Sequence, residues 1–503
     1  MIFRRRLPDV FYNGLSAVGA LIAALAASAI FILFLLDLVL GQSTLYQGLV
    51  TYLVIPGFLS LGLLLILAGA WRERRRHARG ESSRFPKEIR LDLTNPAERN
   101  AALAGIFIGT LFLIGTSIGT YKAYQVTESV KFCGTLCHQT MKPEYTAYQS
   151  SSHARVACVA CHIGPGAGWF VKSKITGAYQ VYAVLANKVP RPIETPIRNL
   201  RPARETCQEC HWPEKFFGAR RVVNAHYLPD ENNTADPISL LVNIGGGSAG
   251  ERSEGIHWHM IVANKVEYIA RDRTRQDIAW VRTTDRAGKA TEYNNVDNPL
   301  SPEEKAKAEV RVMDCMDCHN RPSHNYRSPN KTVNDALSLG RISASLPFIK
   351  REAVKALDQD YPDTPAALAS IEKSLTDFYR TNYPDLLKTR PSDVAAAAAE
   401  VQRIYSHNFF PEMKVAWKGY PDNIGHEEFP GCFRCHGSSL ASSDGKTIAK
   451  DCRSCHILLS QGTGKEGAFL SPAGFEFKHP VDVGGAEASG QCALCHKGGA
   501  ELY

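Results

Sequence analysis

Residues 132–162 read FCGTLCHQTMKPEYTAYQSSSHARVACVACH and hold two cysteine pairs, each closed by a histidine, directly after a long apolar run. Cys133, Cys137 and His138 form the first set, with three residues between the cysteines; Cys158, Cys161 and His162 form the second. The arrangement returns at Cys207, Cys210 and His211, and at Cys315, Cys318 and His319. It returns again at Cys432, Cys435 and His436, at Cys452, Cys455 and His456, and at Cys492, Cys495 and His496. These seven sets consume all 14 cysteines. At this composition chance would supply such a motif in on the order of one in a hundred chains of this length.

The spacing is that of covalent c-type haem. Two thiols bond the two vinyl groups of one porphyrin, and the adjacent imidazole then reaches the iron. Paired cysteines also hold zinc or shuttle redox equivalents, but zinc needs two pairs facing one another, and a thioredoxin-type pair does not require the histidine. A histidine at all seven sets selects haem. The expected cofactors are therefore seven covalently bound haems, each with its motif histidine as the proximal iron ligand.

The chain of 503 residues is long enough for several domains. Its formal net charge of +8 is offset by the two propionates of each haem, so no nucleic-acid partner is expected. Thioether attachment places the cysteines in an exported compartment.

The first eight residues, MIFRRRLP, precede an uncharged run at 14–36, long enough to cross a bilayer. A cleaved signal peptide, with small residues at 26–29, is the rival reading; the apolar run continues past any such site, which favours an anchor. A second span at about 49–70 contains Pro56 and Gly57. Residues 72–99 then carry nine Lys or Arg against five Asp or Glu, whereas 38–47 carry no charge. The positive-inside rule thus sets the N-terminus and the basic loop 71–100 in the cytoplasm. A third span at 101–121 delivers all seven motifs to the periplasmic side of a bacterial inner membrane. Only 11 residues separate Tyr121 from Cys133, a tether of at most about 40 Å, so the first haem is expected near the membrane surface.

Residues 168–189, with aromatics and lysines spaced as interface residues are, suit an amphipathic helix at the lipid boundary. The proline-rich 189–202 extends the chain. IHWHMIVANKVEYIARD, from Ile256, reads as strand with a turn at DRAGK. Residues 333–405 read as helices, with Thr364 as an N-cap and Leu368, Ile371, Leu375 and Phe378 as one apolar stripe. The expected fold is a multihaem cytochrome c, mainly α and irregular with a haem-packed core, bearing three N-terminal transmembrane helices and a small β-rich insertion. The expected domains are a membrane domain at 1–121, haems one to three at 122–221 and the β-rich 222–310. The fourth haem at 311–329, a helical scaffold at 330–410 and haems five to seven at 411–503 complete the chain.

A sixth ligand makes each iron a low-spin carrier, and an empty position makes it a catalyst. Of 16 histidines, seven close motifs and His77 lies in the basic loop. The candidate distal ligands are the other eight: His153, His226, His257, His259, His324, His407, His426 and His479. On a strand, His257 and His259 share one face, a geometry that also suits a separate metal ion. Met141, three residues after His138, is the alternative iron ligand.

CGTLCHQTM after a membrane helix, then MKPEYTAYQSSSHARVACVACH, a lysine-bearing stretch and RPARETCQECH, resemble the NapC/NirT group of membrane-anchored quinol dehydrogenases over about residues 100–215. The seven-haem arrangement is similar to the longer ImcH-type inner-membrane cytochromes. The resemblance implies a first haem that lies against the membrane and takes electrons from menaquinol, with methionine able to replace histidine as its ligand. Carried over, Met141 is the candidate ligand, Lys172 or Lys174 the candidate quinol contact, and Gln180 stands near an acidic position of some members. The extra residue in the first motif, the methionine one place further on and the three spans depart from the short members. Both the ligand and the proton acceptor at the first haem are left open by these departures.

The leading expectation is a menaquinol-oxidising heptahaem cytochrome passing electrons through a haem chain to periplasmic multihaem cytochromes, toward extracellular or metal acceptors. The alternatives are a terminal reductase of a small oxyanion or nitrogen compound, and a conduit subunit of a larger membrane complex or homo-oligomer. Reductases of that kind often replace one motif histidine by lysine, and none of the seven motifs does so.

Overall fold

The computed structural model describes residues 2–4, 9–40, 55–81, 88–90, 93–136, 138–164, 166–197, 200–245, 255–260, 264–285, 287–463 and 471–500. Cys137, the side chain of His138, most of the 38–47 connection, the start of the second span and residues 261–263 lie outside that description. So do parts of the basic loop, the proline-rich run and the DRAGK turn. The chain divides into two compact units: Met1–Phe132 with Ile163–Tyr179, and Cys133–His162 with Gln180–Tyr503.

In the first unit, helices Gly14–Leu40 and Ile55–Ala78 pack directly on each other. Small residues set how closely. A Cβ on Gly19 would stand 2.6 Å from the Gly62 carbonyl oxygen, and one on Gly62 would stand 2.7 Å from the Ala23 nitrogen. Ser16 donates to the Ile66 carbonyl at 3.0 Å. Partner numbers fall from 69 to 62 as numbers rise from 16 to 23, so the helices run antiparallel. This is the small-residue contact that lets helices associate where lipid removes the hydrophobic drive. Gly62→Leu is expected to cost about 1–3 kcal/mol by overpacking, read as a lower melting temperature of the detergent-solubilised protein.

Among the described residues, one helix, Ile55–Ala78, is long and apolar enough to cross a membrane. A short antiparallel pair of strands, β1 (Ile2–Arg4) and β2 (Glu88–Arg90), precedes the next helix. Helix Pro96–Thr127 starts at Asn95, whose side chain accepts from the Ala97 N–H at 3.1 Å. It leaves Leu103, Ile106, Phe107, Ile108, Leu111 and Phe112 exposed. Helix runs on from Tyr121 to Thr127, and a further turn, Val130–Thr135, carries Cys133. Most of the tether is therefore helical, rising about 1.5 Å per residue.

The second unit is organised on helices Pro329–Ser338, Ile349–Leu357, Thr364–Asn382 and Pro391–Asn408. The N-cap of the third is Asp363, which accepts from the Ala366 N–H at 2.8 Å; Thr364 is already inside the helix. The fully enclosed stripe is Ala367, Ile371, Leu375 and Tyr379, while Leu368 and Phe378 sit at its margin. The longer aromatic at 379 reaches the core and donates its hydroxyl to the Pro347 carbonyl at 2.9 Å.

Two antiparallel sheets flank these helices in sequence. One joins β3 (Ala219–Asn224), β4 (Ile238–Asn243) and β10 (His456–Gln461) in the order β10-β4-β3. The other is built from β5 (Lys265–Ala270), β6 (Ile278–Thr284), β7 (Ala290–Asn295), β8 (Arg311–Val312) and β9 (Leu440–Ala441), in the order β8-β5-β6-β7-β9. Strands of 219–295 thus pair with β8, β9 and β10, which adjoin the fourth, fifth and sixth motifs. Pairing by backbone hydrogen bonds ties this stretch into the motif-bearing chain instead of leaving it a module apart. The first residues of IHWHMIVANKVEYIARD form a 3₁₀ turn, Ile256–Met260, so His257 and His259 are not on a strand.

Candidate haem sites

A cysteine pair with its histidine needs its three side chains on one side of the backbone. Helical turns supply this, because residues i, i+3 and i+4 share a face. The described motifs begin on such turns: Cys158–His162, Ala203–Cys207 and Cys315–Cys318 in α-helix, and Gly431–Arg434, Cys452–Ser454 and Cys492–Leu494 in 3₁₀. The turn closes when the histidine N–H donates to the first cysteine's carbonyl, at 2.8 Å in His211, His319 and His496 and at 3.0 Å in His436.

Six motif histidines each face one further histidine. Ring centres are 6.3 Å apart for His162 and His324, 6.1 Å for His211 and His153, and 6.3 Å for His319 and His257. The others are His436 with His259 at 5.7 Å, His456 with His426 at 6.3 Å, and His496 with His479 at 5.9 Å. A metal–imidazole bond of about 2 Å plus about 1 Å from nitrogen to ring centre puts two trans imidazoles about 6 Å apart. Each gap is therefore wide enough for one metal that both rings would hold.

The second ring nitrogens support that fit. Nδ1 lies 3.1 Å from the Pro322 carbonyl in His153, 3.0 Å from Ile244 in His257 and 3.0 Å from Ile256 in His259. It lies 3.0 Å from the Glu144 carbonyl in His324 and 2.9 Å from Val481 in His479. A carbonyl only accepts, so Nδ1 carries the proton and Nε2 keeps its lone pair for a metal. Burial pushes His162, His257, His259 and His319 below the ordinary imidazole range, and His324 down to about 4, which keeps the rings neutral.

Cavities lie beside these pairs. One of about 420 Å³ opens by His426, walled by Trp417, Phe429, Phe433 and Leu494, flat apolar surfaces suited to a porphyrin. Another, of about 480 Å³, opens by His153 and His319 and is lined by Arg321, Arg327, Arg341 and Arg403. Guanidinium groups there suit carboxylates such as propionates.

The attachment cysteines neighbour one another in chain order. Cys133 neighbours Cys158, Cys161 neighbours Cys210, and Cys207 neighbours Cys315. Cys318 feels Cys432, Cys455 feels Cys432, and Cys492 feels Cys452.

Two candidate histidines stand apart from the pairs. His407 lines the arginine-rich cavity and has its Nδ1 2.7 Å from the Arg403 carbonyl. His226 has a buried Nδ1 with no hydrogen-bond partner among the described residues. Met141 lies half-buried on helix His138–Gln149.

One carboxylate, Asp317, sits between the cysteines of the fourth motif and is 2% exposed. It accepts from the Tyr268 hydroxyl at 2.6 Å, Arg275 at 2.9 Å, Arg311 at 3.0 Å and the Asp314 N–H at 2.7 Å. Its carbonyl oxygen accepts from Arg434 of the fifth motif at 2.7 Å. Asp317→Ala would take the carboxylate from partly buried Arg275 and leave Arg311 with Asp314 alone, at a cost of about 3–5 kcal/mol. The expected result is a large drop in the thermal midpoint of the haem-bearing unit.

The first unit contains the lysines singled out for quinol contact. Lys172 and Lys174 lie on helix Ala167–Leu185, which also bears exposed Gln180 at its second-unit end. Lys172 projects outward with its ammonium 4.8 Å from the Trp169 ring centre. Lys174 instead pairs with the carboxylate of Glu128. Its ammonium stands 4.7 Å from the Phe170 ring centre, and Phe170 stacks on Tyr124 at 5.7 Å. Glu128 is 9% exposed and caps the C-terminus of helix Pro96–Thr127. Sequence reasoning misses it, although it is the only acid between Tyr121 and Cys133.

Residues 95–195 match the N-terminal region of the NapC/NirT cytochrome c family. Over 499 residues the chain is 43% identical to the cytochrome c-type protein ImcH of Geobacter sulfurreducens, covering 99% of this chain and 97% of that protein. The cytochrome c-type protein TorC of Escherichia coli is 27% identical over 137 residues, which are 24% of this chain and 35% of that one. No solved structure matches the chain. The chain therefore belongs to the NapC/NirT cytochrome c family, as an ImcH-like electron-transfer protein carrying covalently bound haem.

Proposed function

We propose that the chain is an inner-membrane menaquinol dehydrogenase whose seven haems conduct electrons to periplasmic multihaem cytochromes. The observation that carries the quinol assignment is the Lys174–Glu128 pair, which falls in the same compact unit as the apolar helices. A quinol dissolved in lipid would find an acid and a base side by side there. Three spans, 14–36, 49–70 and 101–121, with a cytoplasmic N-terminus and a periplasmic haem domain, place the pair at the outer lipid boundary.

When bound, haem supplies one-electron chemistry at iron. The chain's residues do the rest. The aromatic faces of Tyr124 and Phe170 offer a stacking surface to a quinol ring, the Lys174 ammonium donates to one quinol oxygen, and Glu128 accepts a proton as the quinol is oxidised. Loss of two electrons and two protons yields the quinone, with the protons released outward. His162 and His324, His211 and His153, His319 and His257, His436 and His259, His456 and His426, and His496 and His479 would hold haems two to seven. Six of the eight haem-side histidines are taken by these pairs, which leaves His226 and His407 to be weighed for the first haem. His407 lies at the far end of helix His138–Gln149 from His138, and His226 acts electrostatically on the seventh pair. Met141 is therefore its proposed sixth ligand.

The ordered cysteine neighbours support a wire that runs from the first haem to the seventh. Among the described residues, each of haems two to seven would have two histidines to hold it, which disfavours a terminal reductase with an open position for a small oxyanion. Purified protein should be reduced by a menaquinol analogue, and a quinone-site inhibitor should abolish that reduction. No reduction by the quinol would remove the dehydrogenase role.

A further inference from the structure

Four arginines line the cavity of about 480 Å³ that opens by His153 and His319. Three of them have acidic partners. Arg327 is paired with Asp335, and Arg341 and Arg403 share Glu400 at 2.8 Å and 2.6 Å. Arg321 differs: its Nε is enclosed and has no hydrogen-bond partner among the described residues. Burial works against its charge, and a guanidinium does not shed that charge by losing a proton. An enclosed donor of this kind costs free energy unless an acceptor reaches it.

The surroundings position Arg321 without meeting that N–H. Its guanidinium carbon stands 4.7 Å from the centre of the Tyr420 ring, which covers one face of the planar group and leaves the in-plane donors. Asn320 ties the two segments together, donating to the Pro421 carbonyl at 2.8 Å and accepting from the Asn423 N–H at 3.0 Å. Glu144 and Asp422 act on Arg321 electrostatically. Asp422 accepts instead from Asn325 at 2.7 Å and from the Ile424 N–H at 3.0 Å. Glu144 has a buried Oε2 that is itself without a hydrogen-bond partner among the described residues, so that oxygen does not meet the Arg321 Nε. Arg321 follows His319 by two residues, and the next residue, Pro322, accepts from His153 Nδ1 at 3.1 Å. The guanidinium is thus fixed in a segment that serves both haem ligands lining the cavity.

We propose that Arg321 is the clamp for a propionate of the haem held between His319 and His257. The inference rests on the pairing of those two histidines proposed above. A guanidinium presents its N–H donors as a fork that matches a carboxylate. Holding the carboxylate offsets its negative charge, so an electron added to that haem is opposed less and the reduction potential is higher. The fourth of the seven haems is thereby kept within reach of electrons arriving from the third.

The test is potentiometric titration of the full-length holoprotein, followed by electron paramagnetic resonance, with Arg321→Met and Arg321→Lys beside the parent. In Arg321→Met one low-spin signal should move to lower potential, by about tenfold in its reduction equilibrium or about 59 mV for one electron. The other signals stay in place, and part of the propionate bending band in the resonance Raman spectrum shifts. Arg321→Lys keeps the charge without the fork and should recover part of the potential. The signal that moves should be the one that His257→Ala removes from the low-spin set. No movement in Arg321→Met, movement of all signals together, or movement of a different signal would overturn the proposal. Should Arg321→Met fail to accumulate, an experimental structure of the parent holoprotein decides. A propionate oxygen within hydrogen-bond distance of Arg321 supports the clamp, and propionates that all lie elsewhere overturn it. His257→Ala separates the two readings. If that change leaves every haem low-spin, the pairing is wrong; if it yields one high-spin haem while Arg321→Met is silent, only the role of Arg321 falls.

Discussion

His324→Ala is expected to turn one low-spin haem high-spin, while His226→Ala and His407→Ala leave the low-spin count unchanged. The imidazole of His324 stands 6.3 Å from that of His162, and its Nδ1 is held by the Glu144 carbonyl at 3.0 Å. Among the described residues, His324 is the ring that faces His162 across the gap where the iron would sit. Removing it opens one coordination position, which cyanide or nitrite then fills, and a five-coordinate iron takes the high-spin state. Electron paramagnetic resonance counts the low-spin signals directly. Electron delivery from quinol to an external acceptor should fall by about tenfold or more, in line with the wide potential range that axial ligands control. A change in the count with His407→Ala, or none with His324→Ala, would reject the map of pairs.

That map shows what sequence alone reaches. Motif spacing is a local pattern, because one helical turn builds it, and each of the seven sets can be read without the fold. The eight further histidines can also be counted, but their assignment cannot. His324 follows the fourth motif yet faces the second, and His153 precedes the second motif yet faces the third. Such pairings depend on where long segments pack. His257 and His259 illustrate a second limit. Alternation of β-branched and aromatic residues reads as strand through this stretch, but strand begins only at Lys265. Ile256–Met260 form a turn that directs His257 to His319 and His259 to His436, so two side chains two residues apart serve different partners. The cap at Asp363 and the ties from β3–β7 to β8, β9 and β10 are likewise set by tertiary contact, which overrides local preference.

Glu128→Gln is expected to slow reduction by a menaquinol analogue by about 10²-fold or more, the usual range for loss of a positioned base, while dithionite reduces all haems as in the parent. The sequence offers Lys172, Lys174 and Gln180 for this site and leaves the proton acceptor open. Lys172 is turned outward over Trp169 and Gln180 is exposed, whereas Lys174 lies against the Phe170 ring and pairs with Glu128. That pairing matters because a lone buried carboxylate is costly, and the ammonium supplies the countercharge that offsets the cost. Glutamine preserves the shape and the hydrogen bond to Lys174 but takes up no proton. Lys174→Met removes the countercharge and should act in the same direction, and Lys174→Arg should restore some of the rate. The dithionite control isolates the quinol step, since a misfolded protein or a broken haem chain would slow both reductants. Equal slowing with quinol and dithionite would make Glu128 a structural cap of helix Pro96–Thr127 and leave the proton without this acceptor.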